Sequence, residues 1–145
     1  TLVPEDLFSD SSAREILSSV EKIGEKPVKH IELPHYKAVL VYTGEEDRVS
    51  VLVSIIEELN QISHYNKLIA HLEDGYIDIA VATGEKLLML KTFKASDPVT
   101  AQYFIFASTK EFQLNPELTT IYFHGEVSES VKDDLFRYFA SVENI

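Results

Sequence analysis

NKLIAHLEDGYIDIAVATGEKLLMLKTF, residues 66–93, is the stretch that decides the fold of this chain. It predicts three strands, 67–72, 76–82 and 86–93, separated by an Asp-Gly turn and a Thr-Gly-Glu turn. An Asp-Gly pair between two apolar runs is a strong hairpin signal because both residues tolerate positive φ. Asp78 alone interrupts the second strand, and the third is apolar almost throughout. Such strands are covered on both faces, so we expect an antiparallel meander inside a layered α/β domain.

The residues after this stretch predict a helix, a strand and a second helix. Asp97-Pro98 supplies a cap and a first-turn proline for a helix. TTIYF, residues 119–123, reads as a strand, and Ser128 opens a last helix. That helix is predicted to run to Val142, because one face carries Val131, Leu135, Tyr138, Phe139 and Val142. A meander followed by helix, strand and helix is the repeating half of the ribonuclease-H-like or actin-like fold, with strand 119–123 parallel to the first strand.

The first 45 residues are predicted to form a partial first lobe, and residues 46–145 a half-domain of that mixed-sheet fold. Ser12 to Glu15 is a capping-box pattern for a helix that closes at Gly24. Residues 28–33 and 37–42 read as two short strands, and Asp47 can cap the following helix. The chain opens at Thr1 without an initiator Met, so we expect a fragment or a processed piece of a longer protein.

Composition restricts the classes of partner. The 145 residues carry 24 acidic and 13 basic side chains, a net charge of −11. An acidic surface repels phosphate backbones and anionic lipid, so we predict neither nucleic-acid binding nor membrane insertion. The absence of cysteine excludes disulfides, thiolate metal sites and cysteine nucleophiles, and it suits the reducing cytoplasm, which is the expected location.

Four segments carry a family resemblance: TLVPEDLF near the start, KLLMLKTF at the end of the meander, YFIF in the next helix, and IYFHGEVSESVKDDLFRYFASV near the end. Together they resemble a Bacteroidetes family catalogued as a domain of unknown function (DUF3822 type). The resemblance implies an actin-like ATPase fold. It also implies a closer likeness to the actin-like scaffold proteins of pilus assembly and cell division than to the metabolic kinases.

The resemblance implies two places where a nucleotide would be held. Proteins of this fold cradle phosphates in glycine-rich turns, where backbone N–H groups approach the anion. The equivalent turn here contains Asp74 and Gly75, but Tyr76 stands where a small residue is expected, and the carboxylates of Glu73 and Asp74 repel phosphate unless a metal ion bridges them. A plain hairpin turn is the favoured interpretation.

The second place is the adenosine motif, in which a strand ends in two glycines before a helix. Gly125 is present, but Glu126 replaces the second glycine and would crowd a base. We therefore expect no cofactor. The alternative is ATP with Mg²⁺, for which Asp74, Gly75 and Gly125 would be the candidate residues.

Other chemistry finds little support in the sequence. The histidines form neither an HExxH motif nor a helical i, i+4 pair, so we predict no metal site. His71, beside Glu73 and Asp74, has the composition of a carboxylate-oriented base, although a histidine at a strand edge is more often a surface residue. We assign no catalytic residue and favour a role that is not enzymatic.

Three functions remain open, and the favoured one is a non-catalytic scaffold or interaction module. The alternatives are a nucleotide-dependent ATPase or kinase-like enzyme and, more weakly, a ribonuclease-H nuclease using Glu73, Asp78 and Mg²⁺. The expected partner is another protein or a second copy of the chain. Tyr103, Phe104 and Phe112 are predicted to leave a docking patch. Residues 38–42 and 49–56 are predicted to be exposed and to favour self-association.

Overall fold

The computed structural model describes residues 1–43 and 46–145. The chain divides into two compact units, Thr1–Val51 and Leu52–Ile145. The division falls within helix α2 (Glu46–Gln61), so the predicted boundary after residue 45 stays a prediction. The predicted cap at Asp47 falls on a side chain outside the described part. No helix in the described ranges has the length and apolar character needed to cross a membrane.

The first unit contains a three-stranded antiparallel sheet in the order β1–β3–β2. Its strands are β1 (Leu2–Pro4), β2 (Lys29–Leu33) and β3 (Ala38–Tyr42), and its short helix is α1 (Ala13–Ser18). The apolar core joins helix and sheet through Val3, Ala13, Leu17, Ile23, Val39 and Val41.

Helix α1 is shorter than predicted. It ends at Ser18, and Ser12 makes no side-chain capping bond to it. The hydroxyls of Ser18 and Ser19 donate hydrogen bonds back to the carbonyls of Arg14 and Ile16. Such local bonds compete with helix continuation, which explains why the predicted end at Gly24 was wrong.

The predicted exposure of residues 38–42 and 49–56 is also wrong. Strand β3 lies between β1 and β2, so both of its edges are paired. Val39 and Val41 are buried, as are Val49, Ile55 and Ile56. Strand β1, which is only three residues long, covers the second edge of β3, a pairing that the sequence did not predict.

The second unit contains a five-stranded mixed sheet in the order β6–β5–β4–β7–β8. Strands β4, β5 and β6 form the predicted antiparallel meander, and β7 pairs parallel to β4 with Leu68 opposite Ile121. Both predictions are confirmed. The strands are β4 (Asn66–Glu73), β5 (Tyr76–Thr83), β6 (Lys86–Lys94), β7 (Thr120–Phe123) and β8 (Ser141–Asn144).

One face of this sheet builds the apolar core with helices α3 (Pro98–Glu111) and α4 (Glu129–Phe136). Alternate strand residues point to this face, as the two-residue period of a strand requires. Each fully buried aliphatic side chain contributes roughly 1.5–3 kcal/mol. The core includes Leu68, Ile77, Ile79, Ile121 and Phe123 of the sheet, Ala101 and Ile105 of α3, and Val131 and Leu135 of α4.

The end of the chain differs from the prediction. Helix α4 stops at Phe136, and residues 141–144 form β8, which is parallel to β7. The amides of Tyr138 and Phe139 both bond to the carbonyl of Leu135, and the amide of Ala140 bonds to Pro116 and Thr119. These bonds turn the chain away from the helix axis and align β8 with the sheet. Tertiary pairing therefore overrides the helical spacing of residues 138–142.

Candidate functional site

The turn between β4 and β5 is a two-residue hairpin. Asp74 and Gly75 both have positive φ, +47° and +79°, as a type I′ turn requires. The Gly75 carbonyl accepts a hydrogen bond of 2.8 Å from the amide of Ala95. The favoured hairpin interpretation is confirmed, and its geometry accounts for both residues without a ligand.

Gly125 follows β7 with φ of +75°. Its carbonyl accepts a hydrogen bond of 2.7 Å from the side chain of Asn144. A Cβ added at Gly125 would lie 3.6 Å from Cδ2 of His71, an ordinary van der Waals distance. Glycine is therefore favoured here by backbone conformation and not by the close approach of another group.

A cavity of about 290 Å³, hereafter the turn cavity, lies between the β4–β5 turn and the starts of α3 and α4. Asp74, Gly75 and Glu126 all line it, so the two segments implicated by the resemblance meet at one place. Gly125 is not among the lining residues. Tyr76 lines the cavity and is 41% exposed, and Glu126 is exposed.

The electrostatics of the turn cavity are unfavourable for phosphate. Its lining contains four carboxylates and neither Lys nor Arg: Glu73, Asp74, Asp97 and Glu126. The nearest basic side chain that shares residues with this region is Lys94, in an adjoining depression of about 370 Å³. Like charges repel, so an anionic ligand would need a bound cation to enter.

Both helix N-termini at the turn cavity already have partners. Asp97 accepts hydrogen bonds from the amide and hydroxyl of Thr100, and these bonds hold the pKa of its carboxyl below the usual range. Ser128 accepts a bond from the amide of Val131. Among the described residues, no cluster of three or more histidine or acidic side chains could hold a metal ion. The cavity therefore does not fit ATP with Mg²⁺ through a preassembled ligand set.

On the opposite face of the sheet lies a row of polar residues across β4, β5 and β6. His71 pairs with Asp78 in the register, and Asp78 pairs with Thr92. The Nδ1 atom of His71 lies 3.0 Å from Asp78 Oδ2, and the Thr92 hydroxyl donates to Asp78 Oδ1. The orienting carboxylate of His71 is thus Asp78, and not Glu73 or Asp74 as the sequence had suggested.

Burial separates the centre of this row from solvent. His71 is 8% exposed and Asp78 1% exposed, so the expectation of a surface histidine was wrong. A buried carboxylate with two donors is a structural group, and its burial argues against the nuclease alternative, in which Asp78 would bind a metal ion at a substrate. The missed signal was the two-residue turn, because counting outward from Asp74-Gly75 places residues 71 and 78 opposite each other.

His124 extends this row to helix α2. Its Nδ1 lies 2.8 Å from a carboxylate oxygen of Glu58, and its ring is 5.2 Å from that of His71. We call His71, Asp78, Thr92, His124 and Glu58 the histidine network. It joins β4, β5, β6, β7 and α2 through polar contacts, and none of its members lines the turn cavity.

A second concave surface lies between β6 and α3. This aromatic groove, about 330 Å³ in volume, is lined chiefly by Leu88, Lys91, Phe93, Tyr103, Phe104 and Phe112. The rings of Phe93 and Phe104 stack with centroids 4.3 Å apart and planes 17° apart. Tyr103 is 65% exposed, and the remaining aromatic rings of the groove are only partly buried. The three residues predicted to leave a docking patch therefore line one groove.

Comparison with known proteins establishes the family and the fold. The family described as "Protein of unknown function (DUF3822)" matches residues 1–142. A crystal structure from Bacteroides thetaiotaomicron VPI-5482, described as a protein with actin-like ATPase fold and unknown function, superposes with a TM-score of 0.84 at 16% identity. The match covers 100% of this chain and 64% of that one, so the chain spans under two thirds of its neighbour. No curated protein matches. The chain has the actin-like fold, and it belongs to the DUF3822 family.

Proposed function

We propose that this chain is a non-catalytic protein-interaction module, and that the aromatic groove is its docking surface. The observation that carries the proposal is the stacked pair Phe93–Phe104, which lies partly exposed beside the largely exposed ring of Tyr103. Aromatic side chains that lie open in a groove are the usual anchors of protein interfaces. The intended partner is another protein, or a second copy of this chain.

The turn cavity supports the same conclusion from the other side. Its four carboxylates, the ring of Tyr76 and the side chain of Glu126 disfavour a nucleotide at the place where this fold would hold one. The ATPase or kinase-like alternative would need that cavity to accept phosphates. A net charge of −11 likewise disfavours nucleic-acid partners. A cytoplasmic location, which suits a chain without cysteine, belongs to the same proposal.

Site-specific crosslinking in the native host tests the docking surface. A photoreactive amino acid replaces Tyr103 in the groove, and in a second variant it replaces Tyr65, which is 71% exposed and lies outside the groove. We expect one defined adduct from position 103 and none of that mass from position 65. The adduct partner, identified by mass spectrometry and purified, should bind the chain directly.

Matched charge substitutions make this test specific. Leu88→Glu places a charge in the groove, whereas Leu118→Glu places one at an apolar side chain that is 80% exposed elsewhere. We expect L88E to weaken binding of the purified partner at least tenfold and L118E to leave it unchanged. Equal effects of the two substitutions, or adducts that do not differ between positions 103 and 65, would overturn the proposal.

Calorimetry with ATP and Mg²⁺ tests the nucleotide alternative. We expect no binding heat and no thermal stabilisation, whereas a ligand at a hundred times its Kd adds about 2.7 kcal/mol to stability. Micromolar affinity for ATP would refute the non-catalytic assignment. Glycine at positions 76 and 126 removes the two obstructing side chains and gives a comparison variant for the same titration.

A further inference from the structure

Strand β6 is an edge of the five-stranded sheet. In the described part of the chain β5 is its one partner strand, so the other row of its backbone N–H and C=O groups faces away from the sheet. The side chains of this edge are unusual for the molecule. Three exposed lysines, Lys86, Lys91 and Lys94, and no acidic residue lie on nine residues of a chain with 24 acidic and 13 basic side chains.

The edge and the aromatic groove are continuous. Leu88, Lys91 and Phe93 of β6 form one wall of the groove, and α3 forms the other. The Lys91 ammonium lies 5.1 Å from the centre of the Phe93 ring, so charge and aromatic surface occur side by side. The register between β5 and β6 shifts between Val81 and Ala82, which leaves Leu88 as an extra residue beside the groove.

We infer that the occupant of the aromatic groove is an acidic, extended segment of a partner protein that adds to β6 as a sixth strand. This inference rests on the proposed function. Main-chain hydrogen bonds to the outer edge of β6 would hold the segment, and alternate side chains would reach the groove. Carboxylates on the segment would pair with Lys86, Lys91 and Lys94, and aromatic or aliphatic side chains would lie against Phe93 and Phe104.

Neither protection against aggregation nor self-pairing of β6 accounts for as much of the structure. Lysines on an edge strand discourage sheet-to-sheet aggregation, but that role leaves the adjoining aromatic groove unexplained. A second copy pairing antiparallel about the centre of β6 would place Lys86 opposite Lys94 at both ends of the ladder. Like charges opposite one another are destabilising, so the charge pattern favours an acidic partner over a second β6.

Selection from a library of random peptides tests this inference on the chain as it stands. Peptides of about ten residues span the strand at roughly 3.3 Å per residue. The matched target is the triple charge reversal K86E/K91E/K94E, which changes exposed side chains only. We expect the natural chain to enrich acidic sequences with alternate aromatic or aliphatic residues and no central proline. The reversed variant should instead enrich basic sequences of the same alternation.

Hydrogen exchange and affinity measurements locate the enriched peptide. Its binding should protect amides of β6 and leave β8, at the other edge, unchanged. We expect K91E alone to weaken it about fivefold at low salt, with the difference lost near 1 M salt. A proline at the centre of the peptide should abolish binding, because it removes a ladder donor.

The outcomes separate this inference from the proposed function. Enrichment of basic or charge-indifferent peptides, of helical motifs, or of nothing at all overturns the acidic-strand inference. Groove-specific crosslinks at position 103 would leave the docking surface standing in each of those cases. Self-association that protects β6 at high protein concentration would identify a second copy as the occupant and also overturn the inference. Absence of groove-specific crosslinks overturns the proposed function itself.

Discussion

His71 and Asp78 face each other across β4 and β5, with 3.0 Å between Nδ1 and Oδ2. Thr92 on β6 completes the interaction from the other side of Asp78. A buried carboxylate is costly unless hydrogen bonds replace its water, and these two donors come from the two strands that flank β5. The pairing is therefore possible only in one register of the meander. A one-residue slip of any strand would move its polar residue to the apolar face.

Asp78→Ala should destabilise the protein strongly. The substitution leaves the buried His71 ring and the Thr92 hydroxyl without their acceptor, at about 1–3 kcal/mol for each group. We expect a total loss of roughly 2–4 kcal/mol in urea unfolding. Asp78→Asn should cost less, because its amide group retains one acceptor for Thr92 and offers a donor to the other tautomer of His71.

Asp133, which is exposed on α4, supplies the control for this substitution. Asp133→Ala should change stability by less than about 0.5 kcal/mol. Equal effects at positions 78 and 133 would show that the buried row contributes no more than a surface carboxylate.

The meander could be predicted because its signals are local. Apolar runs of strand length and the Asp-Gly pair depend on neighbouring residues alone, and the observed strands differ from the predicted ones by one residue at several ends. Strand β8 could not be predicted, because its four residues are strands only by pairing with β7. Strand β1 is likewise defined by β3. Short elements that depend on distant partners carry little sequence pattern.

The candidate sites were predictable to different extents. Tyr103, Phe104 and Phe112 stood out because helix α3 is apolar around much of its circumference, more than one core-facing stripe requires. The meeting of Asp74 with Glu126 at one cavity follows from the fold resemblance. The contact between Glu58 and His124, 66 residues apart, had no local signal because it depends on how α2 lies against the sheet.

Gly75→Ala should destabilise the β4–β5 hairpin by about 1–2 kcal/mol, because a side chain in the left-handed region is strained. No atom lies within 4 Å of the position of an added Cβ, so the cost is that of the backbone alone. Asp74→Asn should be nearly neutral, since Asn accepts positive φ well. Urea unfolding of both variants measures the difference, and a destabilisation of D74N equal to that of G75A would exclude backbone strain as the cause.

Tyr36→Phe should stabilise the first unit by about 1 kcal/mol. The Tyr36 hydroxyl is buried and has no hydrogen-bond partner in the described part of the chain, and an unsatisfied buried polar group is unfavourable. Tyr65→Phe, at a ring that is 71% exposed, is the control and should be neutral. Chemical denaturation compares the two, and a loss of stability in Y36F would indicate that the hydroxyl has a partner after all.

The alkaline side of the stability curve gives a second test of Tyr36. Burial raises the pKa of its hydroxyl above the ordinary value of 10.0. The folded state therefore keeps this proton at a pH where the unfolded chain begins to lose it. The corresponding stability is present below about pH 10 and falls as pH rises through the folded-state pKa. We expect Y36F to lose less stability than the natural chain above pH 10, and parallel curves would contradict this origin.

Glu58 and His124 should show an energetic coupling of about 1 kcal/mol in a double-mutant cycle of E58A and H124A. Their side chains are about one fifth exposed, at 21% and 23%, so solvent screens the pair less than a surface pair. The exposed pair Glu129–Lys132, at 3.3 Å within α4, is the matched control and should couple by no more than about 0.3 kcal/mol. Salt near 1 M should reduce the first coupling only in part, because buried pairs are screened less. Couplings that are equal in the two cycles would mean that His124 gains nothing from its position in the histidine network.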